Sequence, residues 1–233
     1  MIRLIGFDAD DTLWDNETIY LEAKRKFVSL LAARVPPKES EEHLSRVETA
    51  NVPRYGYGIR SFTLSMVQSA AELMGAQLTS THVGDVLTIG ENMLSAPVRL
   101  LPGAGDVLMS LSSCYRLVLI TKGDTFEQGR KIRQSGLRKC FVRIEVVSDK
   151  IGQTYREVLD QQGVSPREFL MAGNSLRSDI LPVLEIGAHA VYIPYEDTWE
   201  HENSVAEPAG QRHYHRISSL DELPDLVAKL AGG

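Results

Sequence analysis

Short apolar runs alternate with helix-like segments over most of this chain. Each run is followed by a polar or glycine-bearing turn and then by residues with helical spacing. Strands that alternate with helices in this way are typical of a parallel sheet with helices packed on both faces. The sequence therefore predicts an α/β fold of the Rossmann-like, doubly wound type. The runs are Ile2–Phe7, Leu117–Ile120, Ile144–Val147, Phe169–Ala172 and Ala190–Ile193.

Residues 16–97 break this alternation. They lack short apolar runs and instead show helical spacing in four segments, with proline and glycine between them. We predict an all-helical insert of residues 16–97 within a core formed by residues 1–15 and 98–233. The four segments are Ile19–Val35, Ser40–Ala50, Ser61–Met74 and Thr79–Leu94.

Composition excludes several classes of function. A net charge of -6 and a pI near 5.6 disfavour a surface for nucleic acid or anionic membranes, since both are bound through clusters of Lys and Arg. Cys114 and Cys140 lack CxxC spacing, which argues against a zinc site and a disulfide framework. No leader pattern and no run of about 18 apolar residues occurs. We expect a cytoplasmic protein with a small-molecule substrate.

Polar residues suited to catalysis follow four of the apolar runs. In a parallel sheet, the carboxyl ends of the strands form the crevice where ligands bind. The first run is followed by three carboxylates in four positions, which repel one another unless a cation offsets them. Hard oxygen ligands select Mg²⁺. The residues are Asp8, Asp10, Asp11 and Thr12, then Thr121 and Lys122, then Asp149 and Lys150, and finally Asn174 and Asp179.

These four groups resemble the four motifs of the haloacid dehalogenase superfamily of hydrolases. Asp8-Ala9-Asp10-Asp11-Thr12 is similar to the first motif, Asp-x-Asp-x-Thr. The hydroxyl motif corresponds to Leu119–Gly123, the lysine motif to Lys150, and the acidic motif to Gly173–Asp179. Four motifs in order, each after an apolar run, are a stronger signal than one alone.

The resemblance implies a role for each motif residue. Asp8 would be the nucleophile that forms an aspartyl phosphate, and Asp10 the general acid and then the base. Thr121 would hold the phosphoryl oxygens, with Lys122 as a secondary candidate for substrate binding. Lys150 would neutralise charge on the nucleophile and on the transferring group.

The resemblance also implies a Mg²⁺ site formed by Asp8, the backbone carbonyl of Asp10, and the acidic motif. This chain departs from the family pattern, because Asn174 stands where the family most often has Asp. An amide oxygen still binds a hard cation, although it brings no negative charge. Asp179 could compensate as a ligand, or it could only favour the start of a helix. Asp11 is interpreted as a turn or capping residue.

In the family, an insert at this place acts as a cap over the site. Tyr55-Gly56-Tyr57-Gly58 would then form an aromatic loop that reaches the substrate, with Arg54 and Arg60 available for anionic groups. The alternative is an ordinary turn between two helices. His201, His213 and His215 are interpreted as surface or packing residues.

The function predicted on these grounds is a Mg²⁺-dependent phosphatase for a small phosphorylated metabolite. Asp10 disfavours a dehalogenase, because breaking a carbon–halogen bond needs no acid for an alkoxide, and no lysine of the insert is marked as the Schiff base of a phosphonatase. A sugar-phosphate mutase of the same superfamily and a non-catalytic module that binds a phosphorylated ligand stay open as alternatives. The state of assembly is predicted as monomer or homodimer.

Overall fold

A six-stranded parallel sheet forms the centre of the computed structural model, which describes residues 1–195 and 205–232. The strand order is β5-β4-β1-β6-β7-β8, and every neighbouring pair runs parallel. The predicted α/β fold with a parallel sheet is therefore confirmed. The strands are β1 (Leu4–Phe7), β4 (Arg116–Lys122), β5 (Arg143–Val147), β6 (Phe169–Gly173), β7 (His189–Tyr192) and β8 (Tyr214–Arg216).

Both faces of this sheet are buried, which explains why its strands are continuous apolar runs. Side chains alternate between the faces along each strand. In β1, Ile5 and Phe7 pack into one hydrophobic cluster and Leu4 into the other. In β4, Leu117 and Leu119 share the first cluster. Burial on both faces fixes the register, because a shift by one residue would exchange the two sets of side chains.

Helices cover the two faces of the sheet. They are α5 (Ala104–Ser112), α6 (Thr125–Ser135), α7 (Gly152–Gln162), α8 (Leu181–Glu185) and α9 (Leu223–Gly232). A five-residue π-helical turn, Leu176–Ile180, precedes α8. Residues 176–185 are therefore divided between this turn and a short α-helix. A small antiparallel ribbon pairs β2 (Trp14–Asp15) with β3 (Arg99–Leu100).

The described chain divides into two compact units, each with its own interior. The core unit comprises Met1–Glu17, Val98–Lys122 and Gln128–Gly233, and it contains the main sheet. The helical unit comprises Thr18–Pro97 and Gly123–Glu127.

Four helices build most of the helical unit. They are α1 (Glu17–Leu31), α2 (Pro37–Tyr55), α3 (Ile59–Met74) and α4 (Ser80–Ser95). Phe27, Leu44, Phe62 and Val86 belong to its hydrophobic cluster. α2 continues through Pro53 to Tyr55, and the break before α3 falls at residues 56–58. Pro53 lies in the last turn of the helix, where the loss of one i→i−4 hydrogen bond interrupts little further structure.

Among the residues that the structure describes, no helix has both the length and the apolar character needed to cross a membrane.

Candidate active site

The ammonium of Lys150 joins two carboxylates at the carboxyl edge of the sheet. Asp8 follows β1, and its backbone N–H donates to the Ala172 carbonyl of β6 at 2.9 Å. Lys150 follows β5 and donates from Nζ to Asp8 Oδ1 and, at 2.7 Å, to Asp179 Oδ1. All three side chains are buried. Residues that are up to 171 positions apart in sequence therefore meet at one nitrogen atom.

Asn174 and Thr12 extend this group of side chains. Thr12 Oγ1 lies 3.1 Å from Asp8 Oδ2 and 3.3 Å from Asn174 Oδ1. A hydroxyl can donate only one proton, so it cannot satisfy both acceptors at once. The carboxylate oxygen of Asp8 and the amide oxygen of Asn174 therefore both lie within hydrogen-bond distance of the same hydroxyl.

The charges of this cluster do not balance. When both are ionised, Asp8 and Asp179 carry two negative charges, while Lys150 supplies one positive charge. Burial raises the pKa of Asp8 to about 7, even though Lys150 acts to lower it. Burial alone would lower the pKa of Lys150, yet Asp179 and Asp8 together hold it above its usual range. A cation bound beside these carboxylates would neutralise the excess charge.

The oxygens present fit a hard divalent cation. Within residues 1–195 and 205–232, no three His, Cys, Asp or Glu side chains come together as a metal site. A cation held here would therefore need a neutral oxygen as well as the carboxylates of Asp8 and Asp179. Asn174 Oδ1 is such an oxygen, and carboxylate and amide oxygens are ligands that Mg²⁺ accepts.

Gly173 makes room for the carboxylate of Asp179. A Cβ at position 173 would lie 2.4 Å from Asp179 Cγ, which is closer than van der Waals contact allows. The π-helical turn brings Asp179 back onto this glycine, and its Oδ2 accepts from the Ser175 N–H at 3.0 Å. The glycine of the acidic motif is thus required by close approach rather than by an unusual φ angle.

Asp10 has a separate set of partners. Its Oδ1 accepts from the indole Nε1 of Trp14 at 2.6 Å, and its Oδ2 accepts from Nε2 of Gln128 at 2.8 Å. Lys131 Nζ lies 3.0 Å from both oxygens and also donates to Asn16 Oδ1 at 2.7 Å. Lys131 is 4% exposed and Gln128 3% exposed, so these two partners of Asp10 are shielded from water.

Sequence reasoning did not identify Lys131 and Gln128. The two residues lie three positions apart on α6, and that spacing places them on the same helix face. Ile132, which is buried, is four positions from Gln128 and so belongs to the same side. Polar residues that share a face with a buried aliphatic residue are a weak signal that was available in the sequence.

Thr121 and Lys122 end β4. The Thr121 side chain is 1% exposed, and its Oγ1 has no hydrogen-bond partner within the described part of the chain. Lys122 Nζ donates to Ser178 Oγ at 3.1 Å. A buried hydroxyl without a partner has capacity to bind a ligand oxygen. The roles predicted for both residues stay predictions.

Asp11 is a turn and capping residue, as the sequence indicated. Its φ of 61° lies in the left-handed region, which Asp tolerates better than most residues do. Its Oδ1 accepts from the backbone N–H groups of Asn16 at 2.8 Å and Glu17 at 3.0 Å, where α1 begins. Burial raises the pKa of Asp11 to about 7. The third carboxylate of the first motif therefore has a structural task.

Comparison with known proteins agrees with this geometry. The haloacid dehalogenase-like hydrolase family matches residues 2–187. A haloacid dehalogenase-like family hydrolase from Xanthomonas campestris is 38% identical, with a TM-score of 0.88 over 99% of this chain and 96% of that one. The chain belongs to the haloacid dehalogenase-like hydrolase family. The prediction of a hydrolase from this superfamily is confirmed.

Curated relatives of this haloacid dehalogenase-like hydrolase include phosphatases. A glyceraldehyde 3-phosphate phosphatase from Methanothermobacter thermautotrophicus is 26% identical over 97% of this chain and 98% of its own length. A pyrimidine 5'-nucleotidase, YjjG, from Escherichia coli is 24% identical over 97% of each chain. These similarities support a phosphatase-like member of the family.

The predicted substrate residues of the insert lie in the helical unit. Arg54 and Tyr55 form the C-terminal end of α2, and their roles in substrate binding stay predictions. Arg60 has an internal partner, since its Nη1 donates to Asp124 Oδ1 at 2.9 Å within the same unit. This ion pair competes with the binding of anionic groups that the sequence suggested for Arg60.

The histidines of the core unit form a cluster that sequence spacing did not show. His189 lies 3.4 Å from His215, between Nδ1 and Nε2, and its ring centroid lies 4.3 Å from that of His213. His215 lies on β8 next to β7, which explains the approach. His201 lies outside the residues that the structure describes.

Proposed function

We propose that this family member hydrolyses a small phosphomonoester through an aspartyl-phosphate intermediate, with Mg²⁺ as its cofactor. The observation that carries the proposal is the ammonium of Lys150, which contacts both Asp8 and Asp179. The buried ammonium holds the proposed nucleophile, Asp8, in place. Together with a Mg²⁺ ion it would surround a phosphoryl group with positive charge. Positioning and charge stabilisation are the main contributions that proteins make to phosphoryl transfer.

The proposed reaction has two transfers. In the first, an oxygen of Asp8 forms a bond to phosphorus, the phosphorus–oxygen bond to the alcohol breaks, and Asp10 gives its proton to the departing oxygen. In the second, water attacks the phosphorus of the aspartyl phosphate and gives its proton to Asp10. The bond to Asp8 then breaks, inorganic phosphate leaves, and both carboxyl groups return to their starting forms.

Asp8, Asp179, Asn174 and the backbone carbonyl of Asp10 would hold the Mg²⁺ ion. When bound, the ion supplies positive charge that stabilises the phosphoryl oxygens during transfer. The donor set supports this assignment, because two carboxylates and one amide oxygen face the same region with one negative charge in excess. Asn174 in place of an acid predicts weaker Mg²⁺ binding than three carboxylates would give.

The substrate is proposed only by chemical class. One curated relative acts on glyceraldehyde 3-phosphate and another on pyrimidine 5'-nucleotides, so the two share a phosphomonoester and differ in the organic part. We extend the proposal to the helical unit, which would act as the cap that selects the organic part. Arg54 and Tyr55 remain the residues proposed for that selection.

Hydrolysis of 4-nitrophenyl phosphate by the purified protein tests the proposal. We expect turnover with Mg²⁺, loss of turnover with EDTA, and at least a thousandfold loss in Asp8→Asn. Asp160→Asn, which changes an exposed carboxylate of α7 in the same way, is the matched control and should retain activity. Absence of turnover at every metal concentration would instead support a module that binds without catalysis.

A second measurement separates hydrolysis from a mutase reaction. Incubation with sugar phosphates in ¹⁸O-labelled water should give inorganic phosphate that carries the label. A mutase would return the phosphoryl group to a sugar hydroxyl, so an isomeric sugar phosphate without released phosphate would contradict the hydrolase assignment. A panel of phosphorylated metabolites would then identify the preferred organic part.

A further inference from the structure

The carboxyl group of Asp10 is restrained by several hydrogen-bond donors. It accepts four contacts from three side chains: one from Trp14, one from Gln128 and two from Lys131. Each of its two oxygens receives two of these contacts, so together they fix both the position and the rotation of the carboxyl group. Such complete restraint indicates that the orientation of this group matters to the protein.

The three partners are anchored to different degrees. Trp14 is 1% exposed and belongs to the hydrophobic cluster of the core unit. Lys131 is fixed from a second side by Asn16 Oδ1. Gln128 is held less completely, since its Oε1 has no hydrogen-bond partner among the residues that the structure describes.

A proton can pass between Asp10 and a substrate oxygen only if that oxygen replaces one of the four donors. Gln128 is the donor whose withdrawal disturbs least, because its Nε2 also has the backbone carbonyl of Lys122 as an acceptor, 3.3 Å away. Lys131 differs, since its Nζ lies 3.0 Å from both carboxylate oxygens and can hold one while the other is engaged. The ammonium is thus placed to preserve the rotation of the carboxylate during the reaction.

We propose that Lys131 is a positioning residue for Asp10, which aims the carboxyl group at the oxygen of the leaving alcohol. This inference rests on the proposed function, in which Asp10 protonates that oxygen. Lys131 acts through Asp10 and does not itself touch the reacting atoms. Removal of the Lys131 ammonium should therefore slow cleavage of esters whose alcohol needs a proton to leave. Cleavage of esters whose alcohol leaves as a stable anion should change little.

Two aryl phosphates of similar shape make this distinction measurable. Phenol has a pKa of about 10, like the side chain of tyrosine, and leaves poorly without a proton. The nitro group makes 4-nitrophenol much more acidic, so it departs with little help. In Lys131→Met we expect kcat/KM to fall about tenfold or more for phenyl phosphate, which is within the usual contribution of general acid catalysis. For 4-nitrophenyl phosphate the loss should stay below about threefold.

The ratio of the two kcat/KM values within one preparation does not depend on how much of the variant is folded. Lys131→Arg should restore much of the ratio, because a guanidinium can also donate to both oxygens of a carboxylate. Lys139→Met removes an exposed lysine and should leave both values unchanged. An equal loss for both substrates in Lys131→Met, or no loss for either, would overturn the inference.

The same measurements distinguish an error in the proposed function from an error in this inference. If the unmodified protein hydrolyses neither aryl phosphate with Mg²⁺, the proposed function fails. If it hydrolyses both and Lys131→Met leaves their ratio unchanged, only the positioning role of Lys131 is wrong.

Discussion

Substitution of Asp11 separates the structural carboxylate of the first motif from the two proposed to act in catalysis. Asp11→Ala removes the oxygen that accepts from the N–H groups of Asn16 and Glu17. The loss of such a cap costs about 1 kcal/mol, and placing Ala at a φ of 61° costs about 1 kcal/mol more. Asp11→Ala should therefore have a free energy of unfolding about 2 kcal/mol below that of Asp11→Asn. Asp11→Asn keeps both the acceptor and a residue that tolerates this backbone conformation.

The comparison with Asn also predicts a pH dependence. The pKa of Asp11 rises from 3.8 to about 7 on burial. The folded state therefore binds this proton more tightly than the unfolded state, and the free energy of unfolding falls as pH rises from about 4 to about 7. Three pH units correspond to at most about 4 kcal/mol. Asp11→Asn lacks this ionisation, so its stability relative to the unmodified protein should increase between pH 5 and pH 8.

Urea unfolding followed by circular dichroism at pH 5 and pH 8, with EDTA present, measures both effects. Phosphatase activity with Mg²⁺ should persist in Asp11→Asn, in contrast to Asp8→Asn. The reasoning is refuted if Asp11→Asn is as unstable as Asp11→Ala at both pH values. It is refuted equally if the stability of Asp11→Asn relative to the unmodified protein does not increase between pH 5 and pH 8.

Three further outcomes follow from the geometry. Asn174→Asp should tighten Mg²⁺ binding in isothermal titration calorimetry, because it adds a charged ligand; an unchanged affinity would remove residue 174 from the metal site. Gly173→Ala should lower both activity and thermal stability, since its Cβ would lie 2.4 Å from Asp179 Cγ. Gly105→Ala, where a Cβ meets nothing within 4 Å, is the control that should lose neither. Burial is the main cause that lowers the pKa of His189 to about 4, so the free energy of unfolding should decrease as pH falls from 6.5 toward 4. Because the ring is partly exposed, we expect a decrease of about 1 kcal/mol, and His189→Gln should not show it.

The sheet was predictable from sequence because strands that are buried on both faces appear as short, continuous runs of apolar residues. A run such as Phe169–Ala172 has no polar side chain, and the structure confirms it as part of β6 with every residue buried. The polar residues after such runs were predictable for a related reason. Parallel strands end at a common edge, so Asp8, Lys150 and Asn174 were expected near one another before any distance was known.

Contacts of helix α6 were not predictable in the same way. Lys131 lies 121 positions from Asp10 in sequence, and no local pattern indicates which carboxylate a buried lysine will meet. The π-helical turn was missed because its hydrogen bonds differ from those of an α-helix by one residue, while its side chains look like those of any helix start. Both features depend on tertiary structure that sequence periodicity does not record.

Lys131 and Lys150 are both buried, and they differ in the negative charge that remains beside each of them. Lys131 meets one carboxyl group, that of Asp10, so no negative charge is left in excess there. Lys150 meets two, those of Asp8 and Asp179, so one negative charge remains in excess. A phosphomonoester that approaches Asp8 brings negative charge of its own, and the proposed cation is needed to offset this repulsion. Under the proposed function, Mg²⁺ and the phosphoryl group should therefore each strengthen the binding of the other, because the coupling between two ligands is reciprocal. No such coupling is expected from the Lys131–Asp10 side-chain pair, which leaves no negative charge in excess.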